Sequence, residues 1–171
     1  LDHRVLLIAE IGNNHEGSYS LAEDLIGEAA KAGASAVKFQ TIVPAKLIAA
    51  KDTARREQLE KFCLSYEEFE KLSQVATSEN ILFMSTPFDI ESAKFLEQHV
   101  PAFKIASSDN NFWPLIDTIA KSGKPIIAST GLLNLAGCIK LKEYIQAAWQ
   151  LDDIDPGLSL LHCVTQYPTP P

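Results

Sequence analysis

The chain has 171 residues, 46% hydrophobic and 22% charged, ordinary proportions for a globular domain with a substantial core. Its formal net charge of -7 excludes a general nucleic-acid binder, which needs a basic face. No apolar run reaches the roughly 18 residues of a membrane span, so no membrane partner is expected.

Strand and helix patterns alternate along the chain. The apolar runs VLLIAEIG, AVKFQT, ILFMSTPF, AFKIAS, PIIAST and LSLLHC, beginning near residues 5, 36, 81, 102, 125 and 158, read as strands. In LAEDLIGEAAKAG, Leu21, Leu25, Ala29 and Ala30 form one helical face, with Ser20 and Glu23 spaced as a capping box and Gly33 as the stop. The segment from 42 to 64 reads as a solvated loop with a short helix. Such loops at a strand's C-terminal end often shape substrate choice. Ser65 and Glu68 repeat the capping box ahead of Phe69, Leu72, Val75 and Ala76. Asp89 and Asn134 are expected N-caps of later helices, and DDIDPG, residues 152–157, is a turn. The scattered Cys63, Cys138 and Cys163 form no C-x-x-C pair or zinc spacing. They read as free thiols in a reducing cytoplasm, Cys163 as a core thiol.

Near-continuous apolar strands between helices imply a parallel sheet covered on both faces. Two architectures fit: a doubly wound sheet, or the first six units of a (β/α)8 TIM barrel, which typically needs about 250 residues. YPTPP follows the sixth strand directly, which reads as a barrel interrupted there. Residues 1–171 are therefore expected to be the N-terminal part of such a barrel.

The placement of polar residues agrees. Glu10, Asn13, Asn14 and His15 follow the first strand, and Lys38 and Gln40 lie in the second. Thr86 and Asp89 belong to the third, and Lys104, Ser107, Ser108 and Asp109 to the fourth. Ser129 and Thr130 finish the fifth, and His162, Thr165, Gln166 and Tyr167 the sixth. A doubly wound sheet needs functional groups only at its switch point, whereas a barrel gathers every strand end at one mouth. Unpaired charge inside an apolar strand is expensive. Lys38 and Lys104 are thus expected either to hold an anion such as phosphate or carboxylate, or to pair with a carboxylate, Glu10 being the obvious partner. His15 and His162 read more readily as hydrogen-bonded structural residues than as metal ligands.

Six blocks, AEIGNNHEG, AVKFQT, STPFD, FKIASSD, IIASTG and LLHCVTQYPTP, occur in an order and spacing that resembles the N-acetylneuraminate (sialic acid) synthase family. That resemblance implies a (β/α)8 barrel followed by an antifreeze-like domain. It implies condensation of phosphoenolpyruvate with an N-acetylated amino sugar, N-acetylmannosamine by default, in a cytoplasmic homodimer. Lys38, Lys104, Ser107 and Ser129 match the positions that hold phosphoenolpyruvate, and Thr165 stands where some members have an asparagine touching the phosphate. Glu10, Gln40 and Tyr167 match positions facing the sugar, with Asn14 on the same rim. Glu10, Thr86 and Asp109, the last where many members have glutamate, are the candidates for catalytic work. The resemblance also implies a divalent metal, Mn2+ or Mg2+, on two histidines after the seventh and eighth strands, with no metal ligand in these residues. Two other readings are a Schiff-base aldolase using Lys38 or Lys104 and a non-catalytic module binding an anionic sugar.

Overall fold

The computed structural model, which describes residues 5–169, turns each apolar run into a short parallel strand. The chain divides into two compact units, Leu1–Pro101 and Ala102–Pro171. The first contains β1 (Ile8–Gly12), α1 (Tyr19–Lys31), β2 (Ala36–Thr41), α2 (Pro44–Leu47), α3 (Thr53–Glu60), α4 (Tyr66–Ser78), β3 (Leu82–Pro87) and α5 (Ile90–Leu96). The second contains β4 (Phe103–Ile105), a 3-10 turn (Ser107–Asp109), α6 (Trp113–Ala120), β5 (Ile126–Ser129), α7 (Leu135–Leu151) and β6 (Leu158–Leu161).

Within each unit the strands lie in chain order, β1-β2-β3 and β4-β5-β6, all parallel. Neither sheet shows the reversal of strand order that marks a doubly wound switch point. The alternation of side chains along a strand explains how β2 carries both core and polar groups. Phe39 is fully buried, stacks on Phe83 at a centroid distance of 5.5 Å and meets Phe69 of α4 edge-on at 6.3 Å. Lys38 and Gln40, on either side of it in sequence, therefore face the other way. In the second unit Leu141, Ile145 and Trp149 form one buried stripe of α7, and the Trp149 indole donates to Ala120 O at 3.1 Å.

Local signals place most helix starts. Ser65 and Glu68 form the expected reciprocal capping box, and the side chains of Asp89 and Asn134 cap α5 and α7. Three expectations are corrected. The cap of α1 is Ser18, whose hydroxyl accepts from Leu21 N, rather than Ser20. The turn ending in the Ser18 N to His15 O bond fixes where the helix can begin. Its buried face is accordingly Ala22, Ile26 and Ala29, leaving Leu21 exposed. The segment from 42 to 64 holds two helices, α2 and α3, tied down by the Arg56 guanidinium donating to Ile48 O and by Cys63 Sγ donating to Ile42 O. Cys163 is half-buried instead of core, because the chain leaves the sheet after Leu161. All three cysteines are free, as expected. Pro170 and Pro171 of YPTPP lie outside the described residues.

Among the described residues no helix is long and apolar enough to cross a membrane. Gly27 sits in the middle of α1, where a β-carbon would meet nothing within 4 Å. Replacing it with alanine removes glycine's excess unfolded-state entropy, so Gly27→Ala should stabilise the protein by about 0.5–1 kcal/mol. Chemical denaturation of the two proteins checks this.

Candidate functional site

In the first unit the polar set is built on β1, β2 and β3. Glu10 and Lys38 are register partners on adjacent strands, so their side chains can meet directly. Lys38 Nζ lies 2.7 Å from one Glu10 carboxylate oxygen and donates to the other at 2.9 Å, and also donates to Thr86 Oγ1 at 3.2 Å. The lysine side chain is only 10% exposed but the glutamate is 55% exposed. The pair is therefore a buried ammonium held by a carboxylate that opens to solvent. The sequence alternative in which Lys38 pairs with Glu10 is what the structure shows.

Gly12 shapes the space beside that pair. The register shifts between Glu10 and Gly12, and Gly12 takes a φ of +56°, a bulge conformation suited to glycine. A β-carbon there would lie 3.5 Å from Glu10 Oε1 and 4.0 Å from Gln40 Nε2, so the Glu10 and Gln40 side chains approach the same bare stretch of backbone. Gln40 Oε1 accepts from Asn13 Nδ2 at 3.0 Å, which turns the Gln40 amide nitrogen towards Gly12. Asn14 is exposed on the following turn. Beneath that turn His15 is fully buried, its Nδ1 accepting from Gly17 N at 3.2 Å and its ring tilted against Phe39. Burial lowers its pKa, partly opposed by the Glu68 charge, and its Nε2 is buried without a hydrogen-bond partner among the described residues.

A second network anchors the 42–64 segment. Lys46 bridges Asp89 at 3.1 Å and Glu91 at 2.5 Å, and Ser92 donates to Asp89 through both its hydroxyl and its amide. Burial alone would raise the Asp89 carboxyl, but the bonds from Ser92 and Lys46 outweigh it and hold the group below the usual range.

The second unit carries a different set. Lys104 Nζ donates to Ser129 Oγ at 2.6 Å and to Ile105 O at 2.8 Å. Ser107 Oγ accepts from Gly131 N at 3.1 Å. A β-carbon on Gly131 would fall 2.6 Å from Ser107 Oγ and 2.8 Å from the Thr165 methyl, so Ser107 and Thr165 close on this one backbone position. Next to it Leu132 is 80% exposed with a φ of +69°. That left-handed conformation costs of order 1 kcal/mol or more in a non-glycine residue. Tyr167 is 97% exposed and His162 is exposed.

Asp109 is buried at the end of the 3-10 turn and accepts from the Ser108 hydroxyl at 2.6 Å. Burial raises its pKa, with the Ser108 bond opposing. Sequence reasoning missed Asn110, whose buried amide donates to Ser129 O and Gly131 O, and the role of Asn13 behind Gln40. The SSDNN and GNN runs place both next to functional residues, which is the only signal the sequence offers. Among the described residues no group of three or more His, Cys, Asp or Glu side chains could hold a metal ion.

The folded Asp109 carboxyl keeps its proton to higher pH than the unfolded one. Its ionisation therefore costs stability as pH rises above the ordinary aspartate value of about 3.9. Asp109→Asn should raise the melting temperature at about pH 7, and the two proteins should converge near pH 3. Thermal scans across that range decide it.

Comparison with known proteins adds an independent line. The model of the NeuB family matches residues 25–171. An N,N'-diacetyllegionaminic acid synthase of Campylobacter jejuni is 35% identical over 181 residues, covering 98% of this chain and 53% of that protein. An uncharacterized protein of Methanocaldococcus jannaschii is 39% identical over 165 residues, covering 96% of this chain and 47% of its own length. The crystal structure of an N-acetylneuraminic acid synthetase from Leptospira borgpetersenii, in complex with citrate, superimposes with a TM-score of 0.90 at 31% identity. That match covers 98% of this chain and 57% of the other. The chain thus spans about half the length of the curated relatives it matches.

Proposed function

The chain belongs to the NeuB family, and from that premise we propose that it forms the first part of a synthase joining phosphoenolpyruvate to an N-acetylated amino sugar. The products would be a nine-carbon 2-keto sugar acid and phosphate. The observation that carries this reading is the Lys104 cradle, an ammonium and serine hydroxyls gathered at the C-terminal ends of parallel strands. A phosphate is the ligand such donors suit. The complete protein is read as a (β/α)8 barrel with its remaining strands and an antifreeze-like domain outside these residues, acting in the cytoplasm as a homodimer.

In the proposed reaction Lys104, Ser107 and Ser129 hold the phosphate, with Thr165 at its edge; the family resemblance also gives Lys38 to phosphoenolpyruvate and Thr86 to the reacting groups. Glu10, Gln40, Asn14 and Tyr167 face the sugar; the Gln40 amide nitrogen donates, because Asn13 already occupies its oxygen. The methylene carbon of phosphoenolpyruvate attacks the sugar aldehyde, forming the new C–C bond while the aldehyde oxygen gains a proton. Water adds to the cation left at C2 and loses a proton. The tetrahedral intermediate then breaks its C–O bond to phosphate, which departs as a keto group forms. Asp109, kept protonated by burial to higher pH than an ordinary aspartate, is suited to give and take such protons.

A divalent metal, Mn2+ or Mg2+, belongs to the proposal as a Lewis acid for the whole enzyme. The described residues do not fit one, and none of these steps is routed through it. Relatives named for legionaminic acid and for N-acetylneuraminic acid leave both sugar classes as substrates to test. The Schiff-base alternative is disfavoured at Lys38. The Glu10 carboxylate and Thr86 hydroxyl that engage it are not the apolar setting that activates such an amine.

The test is phosphate release by the full-length protein from phosphoenolpyruvate, with and without N-acetylmannosamine or a di-N-acetylated deoxy sugar, in the presence of Mn2+. Sugar-dependent release is expected, with kcat/KM falling about 100-fold in Lys104→Ala through loss of a charged contact. Borohydride trapping of pyruvate on a lysine, without phosphate release, would replace this reading with the aldolase.

A further inference from the structure

Asn110 follows the 3-10 turn that carries Ser107 and is 3% exposed. Its Nδ2 donates to Gly131 O at 2.8 Å and to Ser129 O at 3.2 Å. Both partners are carbonyl oxygens, which only accept, so the orientation of the amide is set by chemistry. We propose that Asn110 is the positioning residue of the phosphate cradle, clamping the turn after β5 so that Ser129 and Ser107 present their hydroxyls where an anion is held. This inference rests on the anion-binding reading of Lys104, Ser107 and Ser129 given above.

The geometry ties the clamp to the cradle and not merely to the fold. The two carbonyls it holds belong to Ser129, whose hydroxyl receives the Lys104 ammonium, and to Gly131, whose N–H holds Ser107 Oγ. Between them, Thr130 donates through its amide and its hydroxyl to Leu161 O of β6, each at 2.9 Å. The turn is therefore pinned by Asn110 on one side and by β6 on the other. Leu132, the next residue, is left-handed and exposed, so burial of its own side chain does not hold that conformation. Ser107 and Asn110 are three residues apart on one short segment, which grips the turn at both ends. A turn released from Asn110 would move the Ser129 hydroxyl and the Gly131 amide together, and Ser107 with them.

The test uses the full-length protein and calorimetric titration with phosphoenolpyruvate. Asn110→Asp keeps the shape of the side chain but puts an acceptor against two carbonyls. At about pH 8 its Kd should rise at least tenfold, on the order of one lost hydrogen bond. Relative to wild type measured at each pH, the loss should recover as pH falls, because a protonated carboxyl regains one O–H donor. Asn110→Ser, a smaller change that guards against misfolding of the acid, should show the loss without the recovery. In a Ser129→Ala background the effect of Asn110→Asp should shrink, since both changes act on one contact.

Folded Asn110 variants that bind phosphoenolpyruvate like wild type would overturn the proposal. So would a loss that ignores pH, or one that adds fully to Ser129→Ala. If Lys104→Ala and Ser129→Ala themselves leave binding unchanged, the cradle reading has failed, and that outcome is distinguishable from a failure at Asn110 alone.

Discussion

An ammonium inside a parallel strand must find partners, and the Lys38–Glu10 pair is the contact around which the first unit's polar set is organised. The strand cannot turn Lys38 towards the helices, because Phe39 and its aromatic neighbours fill that side. The charge is thus committed to the opposite face, where the register places Glu10 beside it and Thr86 within reach. Everything else in the set follows from those positions. Gln40 shares the face by the two-residue period, and the bulge at Gly12 keeps a side chain out of the space above. Because Glu10 is half-exposed, the pair meets water on one side, which lowers the desolvation cost of keeping both charges below that of full burial.

Much of this was legible in the chain because the signals are local or periodic. The apolar runs carried the strands, and Ser65, Asp89 and Asn134 carried three helix starts, since a cap depends on a side chain and an amide three residues away. The candidate set divided along the same line. Glu10, Lys38 and Thr86 come together as strand neighbours, as do Lys104 and Ser129, and both groupings follow from residues standing near strand ends.

What escaped reading depends on tertiary contact. Ser20, with Glu23 three residues on, is the better cap in sequence, and a turn bonded to His15 O selects Ser18 instead. The two helices of the 42–64 segment are polar and short, and their place is secured by Lys46 reaching Asp89 and Glu91, more than 40 residues away. Asn110 is hardest of all, since an amide that bonds two backbone carbonyls leaves no pattern of residue types to find. Asp109 was visible as an acid, but the burial that raises its pKa was not.

Gly131 bears on how this protein can diverge. Its missing side chain is occupied in space by the Ser107 hydroxyl and the Thr165 methyl. No other amino acid can enter there without displacing one of them, whereas the Leu132 side chain beside it stands in solvent. Descendants of this chain can therefore vary the outer lip of the turn among residues that accept a left-handed backbone. The inner lip admits no such drift. A lineage that placed a side chain at position 131 would have to change position 107 with it, whereas position 132 can change alone.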